Sequence, residues 1–103
     1  MYGLIGKIEV EEGRRDELAA ILLDGVSGMP GCMSYVVAND LADENAIWVT
    51  EVWDKQESHE GSLSLPSVQD AIRKGRPLIR GFGERFVTRP VGGHGIPRSE
   101  GHG

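Results

Sequence analysis

A chain of 103 residues and 11.2 kDa has room for one domain, and a domain that small buries only about 60–68% of its unfolded surface, which invites completion by a second copy. Its net charge of -5 and pI of about 5.1 argue against nucleic acid or an anionic membrane as partner, since both require a positive footprint. With 39% hydrophobic and 26% charged residues it has the composition of a globular domain, not of a disordered or membrane-spanning chain.

Met1 leads straight into a strand with no basic-then-apolar leader, so a cytoplasmic protein is expected. Residues 2–10 alternate Leu4, Gly6, Ile8 and Val10 against Ile5, Lys7 and Glu9, the period of a strand. From Arg14, Leu18, Ile21, Leu22, Gly25, Val26 and Met29 recur at helical spacing, and Gly28, Pro30 and Gly31 stop that helix. CMSYVVAN (32–39) and AIWVTEVW (46–53) flank the polar turn DLADEN and predict a hairpin. Cys32, the single cysteine, excludes an internal disulfide and a cysteine-based zinc site.

Asp54 with Glu57 three residues on predicts a capped short helix over 54–60, ended by Gly61. Pro66 opens a second helix bearing Val68, Ala71 and Ile72, closed by Gly75 and Pro77, and 81–89 is the last strand. The order βαββαβ predicts an α+β, ferredoxin-like domain over residues 1–90. Residues 91–103 form a Gly/Pro-rich tail that carries His94 and His102. All six aromatics, Tyr2, Tyr35, Trp48, Trp53, Phe82 and Phe86, fall on strands, so large rings are expected on both sheet faces although helices cover only one.

Several motifs fail on inspection. RGFG at 80–83 copies the start of an RNA-recognition signature, but it follows the last helix rather than preceding it, and Glu84 stands where the next aromatic belongs. His59, His94 and His102 have no metal-ligand spacing, GGHG lacks the lysine and helix of a phosphate loop, and no GxSxG surrounds a serine. Two features remain. His59 sits on the short helix after the third strand, from which it can point at the cleft between sheet and helices, and an imidazole suits proton transfer. Arg73 and Arg76, one turn apart, are candidates to hold an anionic or phenolate-like substrate.

The hairpin ending TEVW, a short helix, a proline near the start of the next helix and a final strand resemble the antibiotic biosynthesis monooxygenase family. YGLIGKI, MPGCMSYVV, WVTEVWDKQESH, SLPSVQ and GRPLI are similar to its quinol monooxygenase subgroup, over residues 2 to about 95. The resemblance implies a homodimeric α/β barrel, two sheets face to face, with a pocket between sheet and helices in each subunit. It also implies oxidation of small quinols, phenols or anthrones by O2 without a bound cofactor or metal. Such chemistry needs a base to form the substrate anion and a dry aromatic pocket with donors for the developing oxygen anion.

On this resemblance His59 is the base, Trp53 Nε1 and Ser62 are the donors, and Tyr35, Phe82 and Arg76 line the pocket. Many relatives carry a histidine nine residues after the strand-ending Trp, where this chain has Ser62; His59 lies three residues earlier, on a similar helical face. Heme-degrading relatives use an Asn, a Trp and a His where this chain has Gly6, Ser62 and Ile72, which disfavours heme. Two further readings of the scaffold stay open: an isomerase of a small metabolite with Arg73 and Arg76 as anion ligands, and a non-catalytic small-ligand binder.

Overall fold

The computed structural model describes residues 1–98 and consists of a four-stranded antiparallel sheet with helices on one face. The strands are β1 (Tyr2–Val10), β2 (Cys32–Asn39), β3 (Ala46–Trp53) and β4 (Ile79–Thr88), in the order β2-β3-β1-β4. The helices are α1 (Arg15–Gly25), α2 (Gln56–Ser62) and α3 (Pro66–Gly75). This is the ferredoxin-like α+β arrangement.

Strand alternation sorts the side chains. Leu4, Ile8 and Val10 of β1, Tyr35 and Val37 of β2, and Ile47, Val49 and Trp53 of β3 face the helices, as the register of partners requires. The core is Val10, Leu18, Ile47, Val49 and Leu78, with Ile21, Leu22 and Ile79 packed around it. On the other face Val36, Thr50, Ile5 and Phe86 form one row across all four strands, beside Trp48 and Val52. Aromatic rings therefore occupy both faces.

Three elements, α1, α2 and β4, differ from their sequence-based bounds. α1 ends at Gly25 rather than running toward Met29, with Val26 as its C-cap. Its last residue is buried against α3, where a Cβ on Gly25 would lie 2.5 Å from the Ala71 Cβ. α2 begins two residues later than expected and runs through Gly61 to Ser62. Asp54 does not cap it: its N–H donates to the Gly31 carbonyl at 2.9 Å, which ties it to the loop before β2, and Lys55 is the N-cap without a side-chain bond. Gly31 has φ +81°, and a Cβ there would meet the Ser58 side chain at 2.6 Å, so only glycine permits this approach of loop and helix.

β4 starts two residues early because a 3-10 turn over Arg76–Leu78 delivers the chain into the sheet, with Ile79 opposite Val10. A bulge sets Gly83 and Glu84 against Lys7. Beyond β4, Gly93 and Ile96 make an isolated antiparallel bridge around His94 and Gly95, so that part of the tail holds a tight turn. Residues 99–103, with His102, lie outside the described residues. No helix among the described residues is long and apolar enough to cross a membrane.

Candidate functional site

The helices do not cover the sheet evenly. α1 lies against β2 and β3 and α2 against β3, whereas Phe82 on the inner face of β4 is 73% exposed. Two adjoining cavities result. An inner pocket of about 150 Å³ lies between helices and sheet, walled by Leu22, Val26, Met29, Trp53, Leu63 and Ile72. An outer cleft of about 270 Å³ runs over β1 toward β4, bordered by Gly6, Ile8, Val49, Phe82 and Arg85. Tyr35, Glu51 and His59 line both cavities and stand at their junction.

Glu51 is there because β3 alternates, placing Ile47, Val49, Glu51 and Trp53 in one inward row. The Trp53 Nε1–H donates to Glu51 Oε1 at 3.0 Å, and His59 Nε2 is 4.0 Å from the same oxygen. Both partners are largely enclosed, the Glu51 side chain 16% and that of His59 19% exposed. The imidazole is wedged between rings, 5.5 Å from Trp53 edge-on and 5.9 Å from Tyr2. A 4.0 Å gap is too wide for a direct hydrogen bond but close enough for the carboxylate to favour a charged imidazole. Tyr35 is the cross-strand partner of Glu51, and burial first, then the Glu51 charge, pushes its phenol well above the ordinary tyrosine range. It is a proton donor at any physiological pH.

Not every residue singled out in the sequence gathers here. Tyr35, Trp53, His59 and Ser62 line the inner pocket, and Phe82 borders the outer cleft. The donors on Trp53 and Ser62 are engaged: Trp53 with Glu51, and Ser62 Oγ with the His59 carbonyl at 2.6 Å. Ser62 is 5% exposed and fastens the helical turn that carries His59. Arg73 pairs with Asp70 on the exposed side of α3, Arg76 is exposed in the following turn, and neither borders either cavity. Glu51 and Arg85 were not singled out. The signal for Glu51 was in the sequence, as a lone carboxylate in an otherwise apolar inward row of β3. No group of three or more His, Cys, Asp or Glu side chains among the described residues forms a metal set.

The four-stranded antiparallel sheet with helices on one face defines a ferredoxin-like α+β class. The chain belongs to the antibiotic biosynthesis monooxygenase family, whose model matches residues 1–74. It is 64% identical to a candidate antibiotic biosynthesis monooxygenase from Chloroflexus aurantiacus J-10-fl, over 93% of this chain and 98% of that one, with a TM-score of 0.90. A candidate member from Deinococcus radiodurans shares the fold at 22% identity, TM-score 0.74, over 90% of this chain and 95% of that one. A conserved protein from Methanosarcina mazei Go1 does so at 14% identity and TM-score 0.75, over 85% and 90%. No curated protein matches the chain.

Proposed function

We propose that this protein is a cofactor-independent monooxygenase that oxidises a small aromatic quinol, phenol or anthrone-like substrate with O2. The observation that carries the reading is the junction at Tyr35, Glu51 and His59, polar groups shared by two cavities whose inner walls are largely apolar. A substrate hydroxyl that donates to His59 Nε2 gives its proton there, and the Glu51 carboxylate, 4.0 Å from the same nitrogen, stabilises the imidazolium that forms. The resulting electron-rich anion reduces O2 within the ring-lined pocket, where excluded water strengthens every polar interaction. The protonated Tyr35 is the donor available to an oxygen anion. Trp53 and Ser62 act through what they hold, Trp53 by fixing Glu51 and Ser62 by fixing the turn of His59.

The overall step balances without an external reductant. A hydroquinone and O2 give a hydroxyquinone and water: one ring C–H becomes C–O, the other oxygen atom leaves as water, and the quinol supplies all four electrons. O2 uptake across a panel of reduced quinols and anthrones tests the reading. We expect uptake well above the autoxidation rate, with His59→Ala lowering kcat about 10²-fold or more, the usual contribution of a general base. Uptake no faster than buffer across the whole panel would sink the monooxygenase reading. An unchanged kcat in His59→Ala would remove His59 as the base.

A further inference from the structure

The outer cleft is larger than the inner pocket, yet the proton transfer needs only the junction between them. Its floor is unusual for an inward row of a strand. Gly6 lies between Leu4 and Ile8 on β1, and a Cβ built there meets nothing within 4 Å. Val49 on β3 and Arg85 on β4 are its two cross-strand partners, and both border the cleft. A strand interior ordinarily loses stability at glycine; this one adjoins the β4 bulge and leaves bare backbone on the cleft floor, with room for a ligand to come close.

The charges give the cleft a direction. Glu51 and His59 stand at the inner end and Arg85 at the outer end. Arg85 makes no ion pair among the described residues, whereas Lys7, which also borders the cleft, is 3.9 Å from Asp43. Glu51 and Glu84 both border the cleft and oppose a polyanion, so a single negative group aimed at Arg85 is favoured. Glu51 pairs with Leu4 and Arg85 with Gly6 on opposite sides of β1. Two strand spacings across and two residues along put their Cα atoms about 12 Å apart. A hydroxylated ring at the junction extended by a short acid arm carries its carboxylate toward the Arg85 end of the cleft.

Building on the reading above, we propose that the site takes a two-part ligand: a hydroxylated aromatic ring at Tyr35, Glu51 and His59, and a carboxylate-bearing extension that lies on the Gly6 backbone and ends at Arg85. Gly6 sets how long a substrate is accepted, and Arg85 sets its charge.

Calorimetric binding under argon, with hydroquinone and 2,5-dihydroxyphenylacetate as probes, tests this without turnover. The wild type is expected to bind the acid about tenfold more tightly than hydroquinone, as one charge-assisted contact allows. Gly6→Val fills the floor with a strand-favouring residue whose Cβ has open space. Arg85→Gln removes the cation. In each variant the ratio of the two affinities should fall to about one. Equal binding of both probes by the wild type, or an unchanged ratio in both variants, would overturn the two-part ligand while leaving the ring site standing. Failure of both probes to bind the wild type would overturn the ring site and the proposed function with it.

Discussion

The indole nitrogen of Trp53 belongs to a side chain 1% exposed, and Glu51 is the acceptor that satisfies it. Removing that acceptor leaves a buried donor unmet, so Glu51→Leu should lower stability by about 1–3 kcal/mol, read as a drop in urea midpoint at unchanged slope. Glu51→Gln keeps an oxygen for the indole and should cost well under half as much, yet it removes the charge that faces His59. The two variants therefore separate the structural role from the chemical one: a near-native midpoint with lost quinol turnover in Glu51→Gln places the carboxylate's charge in the reaction. A Glu51→Leu variant as stable as wild type would show that the indole bond contributes nothing. Glu51 was legible in the alternation of β3, a carboxylate where its row neighbours are Val49 and Trp53. Its pairing with His59 was not, because that depends on how α2 is seated.

Strands were the readily legible elements, since period-2 alternation with β-branched and aromatic residues fixes both type and face. The helices were less so, and α2 shows why. Asp54 and Glu57 have the spacing of a capping box, but a tertiary bond from Asp54 N–H to the Gly31 carbonyl wins, and the helix starts at Gln56. Gly61 looked like a stop and is a helical residue instead. The glycines of α1 and α2 also respond oppositely to the same change. A Cβ on Gly61 meets nothing within 4 Å, so Gly61→Ala should stabilise by about 0.5–1 kcal/mol through helix propensity. At Gly25 the same methyl would lie 2.5 Å from Ala71 Cβ and 3.3 Å from the Ser67 carbonyl oxygen. Gly25→Ala should therefore force α1 from α3 and cost about 1–3 kcal/mol in spite of the better propensity. Thermal unfolding of the two variants checks the sign, and equal shifts would mean that α1 and α3 are not packed at that crossing.

Among the described residues, no helix or strand covers the sheet face away from the helices. Its row of Val36, Thr50, Ile5 and Phe86 spans all four strands, and Val36 and Phe86 are 51% and 52% exposed. Four strands at about 4.8 Å and eight residues at about 3.3 Å make a plane near 500 Å² before side-chain relief is added, which approaches the roughly 800 Å² per partner of a stable interface. The charges on this face do not oppose pairing in that middle row: Lys7 lies beyond it, beside Asp43, and Glu9 lies farther along the same strand. We propose that a second copy covers the face through the same row, as a two-fold axis requires each patch to meet itself. Chain length and aromatic residues on every strand led to the expectation of a second copy, whereas which residues form the row depended on the β-bulge that places Phe86 beside Ile5. Light scattering should give twice the 11.2 kDa chain mass for the wild type. The Val36→Lys, Phe86→Lys double variant sets like charges against each other across the axis and should run as one chain with its strand signal retained. A wild type that is monomeric at every concentration, or a double variant that stays dimeric, would place the interface elsewhere or remove it.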